Sequence, residues 1–218
     1  CPSFRVTRKE QDLTRGRANS LRLAISGQLG PDALTSDHMA DTMKLCVSCK
    51  GCKRECPTGV DMARMKIEVI SARAKQNGIS FHDRLVAYLP HYAPWASRVP
   101  SVLNLRNTLP GLAKLTERLT GFTATRKLPK WSANPFTDGE VDQQDSPGAI
   151  LFSDCFNRYF EPENLRATVN VLKAANVPFH MASPPKGERP LCCGRTFLSA
   201  GLVDKAKLEA QRLVDAFL

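Results

Sequence analysis

The sequence predicts a mostly α chain that ends in a small α/β unit. Three observations carry that expectation: apolar residues at helical spacing between Thr14 and Ala74, short segments cut by Pro90, Pro94, Pro100 and Pro110, and a strand, helix, strand pattern after Gly148. At 218 residues with 42% hydrophobic content the chain can bury one or two cores. No run approaches the roughly 18 apolar residues that argue for a transmembrane helix.

The first helix is expected over Thr14–Ser26, where Ala18, Leu21, Ala24 and Ile25 recur on one side and Gly27 supplies the stop. A second is expected from Pro31 to Leu45. Asp61 can cap a third, whose apolar side includes Met65, Ile67, Val69, Ile70 and Ala74 and which ends near Gly78. Met62 and Met65 are assigned to plain core packing, with shielding of a neighbouring group as the alternative. Residues 79–126 form further short helices, and Tyr88, Tyr92 and Trp95 are expected to be buried against the cluster helices, with a partner surface as the alternative. Residues 127–148, rich in Pro, Asp, Gln, Ser and Gly, are assigned to a linker.

Beyond the linker the pattern changes. Ala149-Ile150-Leu151-Phe152 suits a buried strand, Glu161 opens a helix that runs to about Ala175, and Val177–Met181 is a second strand. Such a βαβ unit implies a parallel pair with a right-handed crossover. A last helix, from about Gly201 to Phe217, offers Leu202, Ala206, Leu213 and Phe217 to that sheet. Charge divides similarly: residues 1–131 carry a net +12 and residues 132–218 a net −2. The basic residues, among them Arg15, Arg17, Arg22, Arg64, Lys66, Arg73 and Lys75, are dispersed and lack aromatic interleaving or a zinc-finger or RNP pattern. They are read as solvated helix faces, and nucleic acid is not an expected partner. A basic surface can instead balance an anionic group or dock an acidic partner or a membrane surface.

The chemistry lies in the eight cysteines. Cys46-Val-Ser-Cys49-Lys-Gly-Cys52-Lys-Arg-Glu-Cys56-Pro57 has the C-x2-C-x2-C-x3-C-P spacing that holds iron–sulfur clusters in bacterial ferredoxins. Three thiolates two residues apart can reach three corners of a cubane from one curled loop, while the fourth ligand arrives from elsewhere. Cys1-Pro2 reads as the tail of a second such run. The crossed ligand rule for two-cluster proteins then gives Cys46, Cys49 and Cys52 to one [4Fe–4S] cluster with Cys1 closing it, and Cys56 to a second cluster whose other ligands lie upstream. Zinc is disfavoured because none of His38, His82, His91 or His180 stands at knuckle spacing, and a redox pair because the C-x2-C units overlap. No signal peptide precedes the cysteines and their density is low for a secreted scaffold, so a reducing compartment is expected. Cys155 follows the first strand of the C-terminal unit and Cys192-Cys193-Gly194 the second, so these thiols are expected to converge on one sheet edge.

Cys155, 36 intervening residues, then Cys192-Cys193-Gly194 resembles the first half of the cysteine-rich CCG module of heterodisulfide reductases and of the iron–sulfur subunits of glycolate and lactate oxidation systems. Together with the cysteine run, Thr14-Arg15-Gly16-Arg17-Ala18 and Cys193-Gly194-Arg195-Thr196, the chain resembles the C-terminal iron–sulfur part of FAD-linked 2-hydroxy-acid oxidoreductases. The resemblance implies an α-helical ferredoxin-like domain (1–126), the linker (127–148) and a partial CCG α/β domain (149–218). It also implies that FAD sits on an upstream domain or partner subunit, and that electrons pass through the clusters to a quinone or another acceptor. The expected location is the cytoplasm, at the inner face of the membrane where the protein is peripheral. The family carries a further cysteine segment after this point, so Cys155, Cys192 and Cys193 form an incomplete set that binds a cluster, coordinates another metal, or rests as reduced thiols. A heterodisulfide-reductase-like module with thiol chemistry at the CCG site is the alternative function, and a non-enzymatic metal-binding scaffold a third. No two glycines are spaced G-x-G and no G-x-x-x-x-G-K-[ST] loop occurs, so no dinucleotide fingerprint, phosphate loop or substrate site is expected within these residues.

Overall fold

The computed structural model describes residues 1–141 and 148–218. Their contacts form two compact units, Cys1–Ser80 with Leu198–Val203, and Phe81–Phe197 with Asp204–Leu218.

In the first unit α1 (Pro2–Thr7) starts on Cys1, with Pro2 at the N-terminal position where a missing N–H is harmless. A 3-10 turn at Glu10–Asp12 leads into α2 (Thr14–Ile25), and Gly27 at φ +78° turns the chain out of it. The helix expected over 31–45 is shorter. A 3-10 turn (Ala33–Thr35) comes first, and α3 (Asp37–Lys44) begins only where the Ser36 hydroxyl accepts the Met39 N–H at 3.2 Å. One short helix, α4 (Gly51–Glu55), lies within the cysteine run. α5 (Met62–Asn77) is capped as expected by Asp61, which accepts the Arg64 N–H at 3.1 Å, and ends at Gly78. Leu21, Ala24, Met39, Met43, Met62 and Val69 form the core, with Cys46 and Cys52 packed partly against it. Burial of each large side chain there contributes roughly 1.5–3 kcal/mol. Met62 is core as expected, but Met65, one turn further along α5, is exposed.

The second unit opens with α6 (Phe81–Ala87), α7 (Leu89–Ala96), α8 (Pro100–Asn104) and α9 (Leu112–Thr120). Pro90 and Pro100 sit in first turns, where proline is tolerated, whereas Pro94 lies inside α7 instead of breaking it. Of the three aromatics expected to be buried, Tyr88 packs edge-on against His91 and Phe197, and Tyr92 donates its hydroxyl to the Leu85 carbonyl at 3.0 Å. Trp95 departs from the expectation: it is 66% exposed, with the Arg98 guanidinium 4.2 Å above its ring.

The βαβ unit is present. β1 (Ala149–Leu151) and β2 (Phe179–Met181) pair in parallel in the register Ala149–Phe179, Ile150–His180, Leu151–Met181. Between them lie α10 (Cys155–Tyr159) and α11 (Pro162–Ala174); α12 (Arg195–Ser199) and α13 (Val203–Asp215) follow. Leu165 and Val169 of α11 bury against Phe179 and Met181. The stretch read from composition as a linker adds Phe136 and Val141 to this same core, and its residues 142–147 lie outside the described residues. Ala206 of α13 is buried, but Phe217 lies past the helix end and is exposed.

Candidate metal centre

The cysteine run is shaped by two departures from ordinary backbone. Ser48 and Lys50 adopt left-handed conformations, at φ +54° and +58°, a region that non-glycine residues rarely occupy and that costs about 1 kcal/mol or more each. They curl the segment after α3 so tightly that Cys46, Cys49 and Cys52 all line one cavity of about 420 Å³. The entrance to this loop is fixed from both sides: the Cys46 N–H donates to the Met43 carbonyl at 3.0 Å, and Lys66 Nζ of α5 donates to the Cys46 carbonyl at 2.5 Å. Lys50 then starts α4, which places Cys52 in its first turn and Cys56 just past its end.

Cys1 reaches the same cavity from the other end of the sequence. It precedes α1, and its Sγ lies 3.7 Å from Ser3 Oγ and accepts a hydrogen bond from Arg17 Nη1 at 3.5 Å. Met62 and Leu13 give the cavity apolar lining. Cys56 lines it as well, but its thiol is bound into the turn that follows, 3.1 Å from Thr58 Oγ1. That hydroxyl and the backbone amides of Val60, Thr58 and Gly59 hold the Cys56 thiol below its ordinary pKa.

The donor set fits an iron–sulfur cluster. Thiolates are the ligands such clusters take, and five cysteines line the cavity from two chain segments, four from the 46–56 run and Cys1 from elsewhere. The thiols surround a volume instead of meeting at a point: among the described residues no three His, Cys, Asp or Glu side chains form a group that could hold a single metal ion. All eight cysteines are free of disulfides.

The second thiol group differs. Asp154 caps α10 by accepting the Phe156 and Asn157 N–H groups at 2.9 and 3.2 Å, which sets Cys155 at the first helical position beyond β1. The Cys192 thiol is influenced by both Cys155 and Cys193, so the three residues lie near one another, and the Gly194 N–H donates to Cys192 Sγ at 3.4 Å. Gly194 makes this turn possible. It lies at φ +74°, and a Cβ there would fall 2.5 Å from the Ala206 carbonyl oxygen of α13. Cys192 is 1% exposed; the Cys155 thiol and burial push its pKa up to about 11. The Cys193 thiol is raised further by Cys192 and by burial.

Arg17 is a side chain at this site whose burial the sequence does not reveal. Read as part of a solvated helix face, it is fully buried. Its guanidinium donates from Nε to the Thr42 carbonyl at 3.0 Å and from Nη2 to Ser3 Oγ at 3.1 Å, and lies 3.8 Å from Asp12 Oδ1. The residue beside it explains how it gets there. A Cβ on Gly16 would fall 2.1 Å from the Glu10 carbonyl oxygen, so α2 packs directly on the Glu10–Asp12 turn and carries Arg17 inward. A glycine inside an otherwise helical segment was the available signal.

Comparison with known proteins agrees with this geometry. Residues 1–60 match the family model described as a 4Fe-4S dicluster domain. The chain is similar to D-2-hydroxyglutarate dehydrogenase of Escherichia coli K12, at 23% identity over 56% of this chain and 15% of the relative. It is also similar to D-2-hydroxyglutarate dehydrogenase of Pseudomonas putida, at 21% identity over 78% of this chain and 21% of the relative. The chain thus spans about a fifth or less of the curated relatives it matches. No solved structure matches it. These findings support the expected resemblance to the iron–sulfur part of 2-hydroxy-acid oxidoreductases.

Proposed function

We propose that this chain is the electron-transfer portion of a flavin-linked 2-hydroxy-acid dehydrogenase. It relays electrons from a reduced flavin, held by another domain or subunit, to a quinone or another acceptor. The observation that carries this reading is the cavity onto which Cys1, Cys46, Cys49 and Cys52 all open. These four residues hold a [4Fe–4S] cluster, and Cys56 serves a second one in the crossed arrangement. A bound cluster supplies one-electron chemistry, which lets a two-electron donor such as a reduced flavin discharge in single steps. The chain's own residues position and insulate that group. Ser48 and Lys50 set the loop, Lys66 ties it to α5, Met62 and Leu13 keep water from one side, and Arg17 lends positive charge. In this reading 149–218 is the partial CCG module. Among the described residues no helix is long and apolar enough to cross a membrane.

A second reading, thiol–disulfide chemistry at the CCG site, draws support from the proximity of Cys155, Cys192 and Cys193. The raised pKa values of Cys192 and Cys193 weigh against it at neutral pH, since the thiolate is the nucleophile. The two readings separate in rapid-mixing experiments on the full-length protein with D-2-hydroxyglutarate. Relay predicts that Cys49→Ser still reduces the flavin but no longer passes electrons to an external quinone analogue, while Cys192→Ser passes them. Unimpaired quinone reduction in Cys49→Ser would overturn the relay.

A further inference from the structure

We infer that Arg17 is a positioning residue that holds Cys1 on the cluster and raises the cluster's reduction potential through a charged hydrogen bond to the Cys1 sulfur. The inference rests on the reading of Cys1 as a cluster ligand. Its starting point is an arginine with no exposed surface in a helix that otherwise shows its cations to water. Burying a guanidinium is costly unless every face of it is engaged, and here the engagements converge on the ligand set.

Each bond ties a different part of the cavity wall. Nε binds the Thr42 carbonyl in α3, the helix that leads to Cys46; Nη2 binds Ser3, two residues after Cys1; and Nη1 points at Cys1 Sγ, 3.5 Å away. Ser3 completes the brace by donating its own hydroxyl to the Asp12 carbonyl at 2.7 Å. One rigid, planar group therefore connects the segment bearing Cys1 to the segment bearing the other three thiols. A lysine presents a point charge on a flexible stem and could not reproduce that fork.

The electronic consequence follows from charge. One-electron reduction by the flavin adds one negative charge to a thiolate-ligated group; no bond forms or breaks, and no proton is required. The Arg17 Nη1–H directed at Cys1 Sγ binds the more negative state of the group more strongly. Hydrogen bonds to cluster sulfurs and net charge are among the quantities that set such potentials. Asp12 offsets part of the positive charge at 3.8 Å, yet the N–H directed at the sulfur remains.

The test is an anaerobic redox titration of the cluster-loaded protein, followed by EPR, with iron and sulfide counted in each sample. Arg17→Gln is expected to keep its iron and to lower the potential by about 59 mV, a tenfold change in a one-electron equilibrium. Arg17→Lys should shift it less. A potential unchanged in either variant at full cluster content would overturn the inference while leaving the cluster reading intact. A wild-type protein that takes up no cluster at Cys1, Cys46, Cys49 and Cys52 would overturn both. Should both variants fail to load, pulsed EPR of the reduced wild-type protein labelled with ¹⁵N-arginine decides: a guanidinium nitrogen coupling is expected, and its absence would refute the contact.

Discussion

The two thiol groups of this protein are built on opposite principles. In the first unit the thiols stand apart around a cavity, on a backbone forced into left-handed turns, with an arginine and a row of amide groups beside them. In the second they lie near one another, with Cys155 and Cys192 buried and Cys193 exposed, and the pKa values of Cys192 and Cys193 are raised. Of the cavity's thiols, Cys56 is held below its ordinary pKa by a neighbouring hydroxyl and backbone amides. Mutual contact under burial keeps protons on sulfur. The same residue type is thus tuned in opposite directions by what surrounds it.

The largest effect that sharpens this contrast concerns Arg17. Replacing it by methionine leaves Asp12, which is also buried, without its cation. Breaking such a pair costs about 3–5 kcal/mol. Urea unfolding should show that loss, and a variant as stable as wild type would mean that the first group does not depend on its buried charge.

Thiol reactivity is the next contrast. In iron-free protein Cys56, held below the ordinary value of 9.0, carries thiolate at lower pH than a free cysteine, whereas Cys192 carries it only as the pH approaches about 11. Alkylation followed by peptide mass spectrometry at pH 8 should therefore favour Cys56 over Cys192 by on the order of a hundredfold or more. Comparable rates would erase the distinction between the groups.

Close backbone approach supports both sites, and its loss should register less. Gly16→Ala presses on the Glu10 carbonyl, and Gly194→Ala presses on the Ala206 carbonyl while also straining a positive φ. Overpacking of this kind costs about 1–3 kcal/mol, readable as a lowered denaturation midpoint. Smaller again is Ser36→Ala, which removes the cap of α3 and should cost about 1 kcal/mol.

Much of this architecture was legible in the sequence, and the exceptions share a cause. α2 and α5 follow from apolar spacing bounded by Gly27, Asp61 and Gly78, because those signals are local. The cysteine spacing likewise announces its chemistry, and Cys1 lines the same cavity as Cys46, Cys49, Cys52 and Cys56. What stayed hidden depends on distant partners. Arg17 looks like any surface cation until the Glu10–Asp12 turn closes on Gly16. Phe136 sits in a polar stretch with no periodicity, yet it is buried against residues that follow it in sequence. Ser36 looks like an interior helix position, but its hydroxyl caps the helix and so shortens it.

The central claim, that Cys1 and the 46–52 loop jointly hold one cluster, is tested most directly by iron and sulfide counts with EPR on anaerobically reconstituted Cys1→Ser, beside Cys192→Ser. The account predicts that Cys192→Ser keeps a wild-type [4Fe–4S] signal and that Cys1→Ser loses it or alters its potential. An intact, equally reducible signal in Cys1→Ser would contradict it.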